Sequence, residues 1–191
     1  MRTTDSFGRP LVAVTGMGLV TSLGQGKGDN WEALTSGRSG IHPITRFPTD
    51  HLATTIAGMV DFLPESSMGA SALTFALADS AADEAIAESG LSRTDFGGPL
   101  FLAAPPVELD WRNRLKLYDQ SDRSNGWRSL IEAARKASER GLFEESQFAS
   151  IADRLADKYG MRGLPITLST ACASGATAIQ LGTEAIRRGG C

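Results

Sequence analysis

An α/β fold is predicted by the alternation of short apolar segments with longer helical ones. Four segments have the composition of strands: 11–15, 55–60, 99–104 and 166–169. Two have strong helical periodicity: 71–89 and 176–188. The chain has 191 residues, 41% hydrophobic and 21% charged, with net charge −3, which fits one soluble globular domain or one layer of a larger one.

The first predicted strand, 11–15, leads into Gly16-Met17-Gly18, which we expect to form a turn at the sheet edge. These glycines and Gly24 do not have the Gly-x-Gly-x-x-Gly spacing of a nucleotide loop, so a structural role is favoured. Met17 and Leu19 are expected in the core. A helix is then predicted over 30–36.

Asp29 is the expected cap of this helix and Gly37 its end. Trp31 and Leu34 should face the core. Residues 39–48 are rich in turn formers and are predicted to be a loop before the strand at 55–60.

The helix at 71–89 is rich in alanine, which allows close backbone approach, so we expect it to lie against a sheet. The segment 99–104 is apolar throughout, which is typical of a central strand. Pro105-Pro106 then breaks the pattern. A polar, helical insert is predicted at about 105–158.

Cys172 follows the β-branched strand at 166–169 and precedes an amphipathic helix. A thiol at such an elbow lies at the positive end of the helix dipole, which favours the nucleophilic thiolate. The alternative is a buried structural cysteine, which is the more common role of a single cysteine. Cys191 has no motif around it and is expected to be a frayed terminal thiol.

Motifs in a fixed order resemble the β-ketoacyl-acyl-carrier-protein synthases of the elongating I/II type. They are 12–24 (VAVTGMGLVTSLG), Trp31 with 37–41 (GRSGI), 159–165 (YGMRGLP) and 169–175 (STACASG). The resemblance implies the N-terminal half of a thiolase-like fold, with a five-stranded mixed sheet and helices on both faces. It also implies that the C-terminal half is absent from these 191 residues.

The resemblance identifies Cys172 as the nucleophile that accepts an acyl group. Decarboxylative Claisen condensation with a malonyl carrier would follow, as in fatty acid elongation. A thiolate suits both steps, because it is nucleophilic and a fair leaving group. The Cys172 backbone N–H is a candidate oxyanion donor. Small residues after Cys172 would let an acyl chain pass close to the backbone.

The family's decarboxylation depends on two histidines and a lysine from its C-terminal half. This chain has two histidines, His42 and His51, and neither lies in such a motif. We therefore expect the nucleophile without the decarboxylation machinery. A non-catalytic carrier-binding or structural half-subunit and a polyketide-type ketosynthase remain open as alternatives.

The implied partner is an acidic acyl carrier protein, whose phosphopantetheine arm delivers the acyl and malonyl groups. Arg112, Arg114 and Lys116 in the insert are carrier-docking candidates, the alternative being a solvated helical face with glutamate partners. The family usually has a basic cluster near 66–71, but residues 64–72 contain no Lys or Arg, so a specialised carrier is a further hypothesis.

The family also implies a homodimer, with 166–170 near its interface. A half fold should expose apolar surface, so it is expected to be unstable alone or to bind a complementary chain.

Two cysteines do not make a disulfide framework, which indicates a cytoplasmic protein. No apolar run is long enough for a membrane span, and mild acidity argues against general nucleic-acid binding. No metal or organic cofactor is implied.

Overall fold

The computed structural model describes residues 3–64, 69–92, 96–105, 110–136, 143–144 and 146–189. Its helices with defined bounds are α1 Gly26–Thr35, α2 Ala70–Ser89, α3 Trp111–Asp119, α4 Trp127–Lys136, α5 Ser150–Tyr159 and α6 Ser174–Arg187. Its strands are β1 Val20–Thr21, β2 Gly24–Gln25, β3 Ile41–Pro43, β4 Ile56–Gly58, β5 Phe101–Ala103 and β6 Ile166–Leu168.

These strands form three two-stranded sheets, so the predicted five-stranded sheet is not confirmed in the described part of the chain. β1 with β2 and β3 with β4 are antiparallel, and β5 with β6 is parallel. The predicted strand at 11–15 has no strand assignment. A strand needs the N–H and C=O groups of a neighbour to form a ladder. Val14 is instead 76% exposed.

Helices cover both faces of the β5–β6 pair, as the sequence predicts. Successive strand residues point to opposite faces. Leu102 packs against the cluster of Ile151, Leu155 and Tyr159 on α5. On the other face, a Cβ placed on Gly182 of α6 would lie 3.8 Å from the Phe101 ring. The alternation along β5 thus places α5 on one face and α6 on the other.

The long helix α2 supports the segment predicted to be a turn at 16–18. Gly16 and Gly18 lie against the α2 backbone, where a Cβ would overlap the carbonyl oxygens of Ala85 and Ala81, respectively. Neither glycine is among those with positive φ. Residues 16–18 form neither a turn nor a bend, so the turn prediction was wrong. Close approach to α2 is what requires glycine here. Met17 is 59% and Leu19 is 40% exposed, against the expectation of core positions.

Helix α1 begins four residues before the predicted Asn30, and Gln25, not Asp29, is its N-cap. Asn30 is 2% exposed, because its side-chain amide donates to the carbonyls of Gly24 (2.9 Å) and Gly26 (2.7 Å). These bonds turn the Asn30 face inward. Trp31 is consequently 70% and Leu34 62% exposed, which corrects the prediction that they face the core.

The predicted loop at 39–48 contains β3, which pairs with β4 in the middle of the predicted strand at 55–60. The N–H of Ile44 donates to the Thr55 carbonyl, which extends this ladder. His42 lies on β3, with Nε2 3.7 Å from an Asp61 carboxylate oxygen. His51 is exposed in a turn. The sequence contains no other histidine.

The predicted insert at 105–158 contains a pair of helices that pack on each other, α3 and α4. Each helix has a buried apolar residue: Leu117 of α3 is 4% exposed and Ala133 of α4 is 6% exposed. The end of the predicted insert differs from α3 and α4, because it belongs to the core. Ile151 and Leu155 of α5 are 1% and 3% exposed there. The outer limits of the insert remain a prediction.

Large apolar side chains are exposed along much of the described chain. Leu164 is 86%, Phe7 81% and Ile179 70% exposed. This confirms the expectation that the chain exposes apolar surface. None of the helices within the described ranges combines the length and apolar character that crossing a membrane requires.

Candidate active site

Cys172 lies in a short 3-10 turn, Ala171–Ala173, that joins β6 to α6. β6 runs parallel to β5, so the turn leaves the sheet at the carboxyl end of the strands. In open α/β sheets, ligands bind at this edge. The thiol is free and exposed. The sequence prediction of a cysteine at a strand-to-helix elbow is therefore confirmed in its geometry.

The residue before the cysteine has an uncommon backbone conformation. Ala171 has a φ of +50°. Among the described residues, no other residue apart from glycine has a positive φ. The left-handed region costs a residue with a Cβ about 1–2 kcal/mol. Such strain persists only where the surrounding structure holds it. The strain lies immediately before Cys172, where it sets the direction in which the chain turns.

The Ser174 hydroxyl bridges the two sides of this turn. Its Oγ accepts a hydrogen bond from the Thr170 backbone N–H at 2.8 Å. It also donates to the Ala171 carbonyl at 2.7 Å. Thr177, one turn further along α6, donates to the Ala173 carbonyl at 2.9 Å. Hydroxyl groups of α6 thus hold the backbone on both sides of Cys172.

The Cys172 amide belongs to the unbonded start of a helical segment. Within the turn, the first amides to donate to a backbone carbonyl are Ala173 N–H, to the Thr170 carbonyl, and Ser174 N–H, to the Ala171 carbonyl. The N–H of Cys172 precedes both, among the amides that a helix start leaves without an intrahelical acceptor. Such amides, with the positive end of the helix dipole, favour a nearby anion.

The space beside the elbow is open. A Cβ placed on Gly175 would meet no heavy atom within 4 Å. Ala173 and Ala176 are exposed as well. Small residues and open space at this position would admit a substrate to Sγ. Within the described ranges, no group of three or more His, Cys, Asp or Glu side chains is placed to hold a metal ion.

The three carrier-docking candidates lie together on α3, a separate element from the elbow. Arg112 and Lys116 are four residues apart and lie on one side of this helix, whereas Arg114 lies on the opposite side. The Arg112 guanidinium carbon lies 5.8 Å from the centre of the Trp111 ring. The structure thus presents a cationic and aromatic helix on the α3–α4 pair. Cys191 lies outside the described residues.

Sequence reasoning missed the strain at Ala171 and the part played by Ser174. The sequence indicates only that the residues after the cysteine, Ser174 among them, are small. A hydroxyl at the start of a helix also bonds local backbone groups, and this general tendency was the available signal. The left-handed φ of Ala171 had no signal, since alanine rarely adopts it.

A family model described as "Beta-ketoacyl synthase, N-terminal domain" matches residues 10–191. The chain is 30% identical to 3-oxoacyl-[acyl-carrier-protein] synthase 2 of Coxiella burnetii, with 86% of this chain and 39% of that protein covered. It is 29% identical to the tetracenomycin polyketide synthase ketoacyl synthase alpha subunit of Streptomyces glaucescens, with 93% and 43% covered. The chain thus spans about two-fifths of these relatives' length.

Solved structures show the same fold. The ishigamide ketosynthase/chain length factor matches with a TM-score of 0.68 at 24% identity, covering 95% of this chain and 45% of that one. A ketosynthase in complex with its type II polyketide acyl-carrier protein, AntDE:AntF, matches with a TM-score of 0.65 at 24% identity, covering 93% and 42%. The chain therefore shares its mixed helix-and-sheet fold with these ketosynthases.

Proposed function

The chain belongs to the β-ketoacyl synthase family, and from that premise we propose that Cys172 is the acyl-accepting nucleophile of a condensing enzyme. The observation that carries the proposal is the exposed thiol at the elbow between β6 and α6. The elbow lies within the segment that the family model matches.

In the proposed first step, the Cys172 thiolate attacks the carbonyl carbon of an acyl thioester on a carrier. The new Sγ–C bond forms, the bond to the carrier sulfur breaks, and the carrier leaves as a thiolate that takes up a proton. The negative charge that develops on the carbonyl oxygen needs hydrogen-bond donors. The unbonded Cys172 N–H is one such donor, as its place at the helix start supports.

In the proposed second step, loss of CO₂ from a malonyl carrier yields an enolate whose carbon attacks the Cys172 thioester. The carbon–carbon bond forms and Sγ leaves as a thiolate, which restores the nucleophile. The acyl chain is thereby two carbons longer and remains on the carrier. The groups that assist decarboxylation are not assigned to this chain, since neither His42 nor His51 lies in a catalytic motif of the family.

The proposed carrier is an acidic acyl carrier protein. A relative of known structure is a ketosynthase in complex with its acyl-carrier protein. Arg112, Arg114 and Lys116 are the proposed docking residues, and their exposed positions on one short helix, α3, support this. A positive surface would attract an acidic partner and orient it during encounter. The phosphopantetheine arm belongs to the carrier.

Fatty acid elongation is the proposed pathway, and polyketide condensation is the second candidate. Both use the same chemistry at the cysteine and differ in product. The similarity to the Streptomyces glaucescens polyketide subunit, at 29% identity, is what favours the second candidate. The Coxiella burnetii relative, at 30%, favours the first equally. Product chain length, measured with malonyl carrier and the complete enzyme, separates them.

A homodimer with residues 166–170 near its interface is also proposed for the complete enzyme. Ile166 is 41% exposed on β6, and Leu164 just before it is 86% exposed. Exposed apolar groups beside a strand are typical of a surface that another chain covers. Sedimentation of the complete enzyme would test this part of the proposal.

The nucleophile is tested by incubating the folded chain with an acyl carrier thioester and measuring intact and peptide masses. We expect one acyl group on Cys172, removable by hydroxylamine, as a thioester requires. Cys172→Ala should carry no adduct, whereas the matched Cys191→Ala should carry the same adduct as the parent. A folded chain that forms no adduct, also when joined to the C-terminal part of a ketosynthase, would instead support the non-catalytic half-subunit.

A further inference from the structure

The Ser174 hydroxyl is the group that connects the strained residue of the elbow to the helix behind it. It accepts from Thr170 N–H and donates to the Ala171 carbonyl. Thr170 and Ala171 are joined by the peptide bond that leads into the strained residue, just before Cys172. One side chain therefore contacts the backbone immediately before and at the strained residue.

We propose that Ser174 is a positioning residue that holds Ala171 in its left-handed conformation and so fixes the direction of the Cys172 thiol. The inference rests on the proposed function, in which that thiol is the nucleophile. Ser174 does not touch the reacting atoms in this proposal. It acts through the backbone of Ala171.

The energetics support a role for this hydroxyl. Left to itself, Ala171 would relax to negative φ, because its Cβ makes the left-handed region unfavourable. Two hydrogen bonds of ordinary strength are of the same order as this strain, so together they can offset it. Relaxation of Ala171 would rotate the peptide that leads into Cys172 and redirect Sγ.

Thiol reactivity is the direct measurement, because it requires no carrier and no condensation. The full 191-residue chain would be used in a Cys191→Ala background, so that Cys172 is the thiol that reacts. Iodoacetamide alkylation is followed by mass, and circular dichroism and thermal midpoint report folding. If the wild-type chain alkylates normally but takes no acyl group, the proposed function fails and the role of Ser174 remains measurable.

Ser174→Ala is expected to slow the alkylation of Cys172 by about 3–10-fold, a factor equivalent to the net free energy of a typical hydrogen bond. Ser174→Thr retains the hydroxyl and is expected to restore the parent rate. Thr183→Ala is the matched control, since Thr183 donates to the Ile179 carbonyl within the same helix at 2.8 Å, away from the elbow. Its alkylation rate should stay within about twofold of the parent.

A second variant tests the route through Ala171. Glycine adopts positive φ without a Cβ penalty. In an Ala171→Gly background, Ser174→Ala should therefore have a smaller effect than in the parent, as residues that act through each other are non-additive.

Three results would overturn the proposal. Ser174→Ala could alkylate at the parent rate. Thr183→Ala could lose as much as Ser174→Ala, which would indicate a general effect on the helix. Ser174→Ala could also have the same effect in the Ala171→Gly background as in the parent, which would remove the proposed link. Thermal midpoints are measured in parallel, and if Ser174→Ala alone unfolds, the comparison is made in the Ala171→Gly background, where the strain at residue 171 is relieved.

Discussion

The Glu84 carboxylate on α2 accepts a hydrogen bond from the backbone N–H of Lys27, in the first turn of α1 (Oε1···N 2.9 Å). Its second oxygen accepts from the Leu19 N–H at 2.8 Å. No side chain of α1 itself caps the helix start. A carboxylate from a distant part of the sequence therefore serves as the cap, and its charge favours the positive end of α1.

The stability of the fold should depend on pH through this carboxylate. The hydrogen bonds from the Lys27 and Leu19 N–H groups lower the pKa of Glu84. A lowered folded-state pKa contributes stability above the unfolded value, about 4.3, and this contribution is lost as the pH falls through the folded pKa. At about pH 6.5, Glu84→Gln should have a lower thermal midpoint than the wild type. At about pH 3, this difference between the two midpoints should be smaller.

Glu32→Gln is the control for this experiment. Glu32 is 78% exposed at its side chain and lies 3.7 Å from Arg38. Exposed ion pairs of this kind contribute little, so its thermal midpoint should follow the wild type at both pH values. A Glu84→Gln midpoint that differs from wild type equally at both pH values would contradict the carboxylate cap.

Replacement of Gly18 should destabilise the protein, because any added side chain would collide with the backbone of α2. A Cβ at Gly18 would overlap the Ala81 carbonyl oxygen, which is backbone and cannot rotate away. Overpacking of this kind costs typically about 1–3 kcal/mol. Gly18→Ala should therefore lower the urea midpoint.

Gly28→Ala is the matched control, because a Cβ there meets nothing within 4 Å and Gly28 lies inside α1. Alanine is more favourable than glycine in a helix, by about 0.5–1 kcal/mol in its interior and less in the first turn, so the urea midpoint should stay the same or rise slightly. If both alanine variants raised the midpoint, the close approach of 16–18 to α2 would be refuted.

Both the ring and the hydroxyl of Tyr159 should contribute to the free energy of unfolding. The ring is 2% exposed, and the hydroxyl lies 2.8 Å from an Asp79 carboxylate oxygen. Burial and this hydrogen bond raise the pKa of Tyr159 well above its usual range, so the phenol stays protonated and donates. Tyr159→Phe should cost about 0.5–1.5 kcal/mol and Tyr159→Ala about 3–5 kcal/mol, both measured by urea unfolding.

Tyr118→Phe on α3 provides the comparison, since Tyr118 is 49% exposed. Its cost should be within about 0.5 kcal/mol of zero. Equal costs for the two phenylalanine variants would show that the Tyr159 hydroxyl adds nothing.

Carrier binding should depend on the charge of α3. The triple reversal of Arg112, Arg114 and Lys116 to glutamate should weaken binding of an acidic acyl carrier protein by about tenfold or more at low salt and reduce its salt dependence. Surface plasmon resonance at several salt concentrations would measure both. Arg38→Glu, at a 59% exposed side chain, is the control for a change in net charge. Unchanged affinity in the triple variant would exclude docking on α3.

Much of the helical framework could be predicted from local pattern. The alanine-rich periodicity at 71–89 corresponds to α2 at Ala70–Ser89, and the amphipathic pattern at 176–188 to α6 at Ser174–Arg187. Helical hydrogen bonds close within four residues, so that a short stretch of sequence specifies them. The elbow at Cys172 was predictable for the same reason, since strand, cysteine and helix are consecutive.

Other features depended on partners far away in the sequence. The sequence by itself determined the family and the order of strand, cysteine and helix at Cys172. The tertiary structure decided that residues 16–18 lie on α2, that Trp31 faces outward and that Glu84 caps α1. It also decided that Ser174 bridges the elbow around a left-handed Ala171. Close approach, burial and strain are set by which segments meet in space, and local sequence preferences do not specify those meetings.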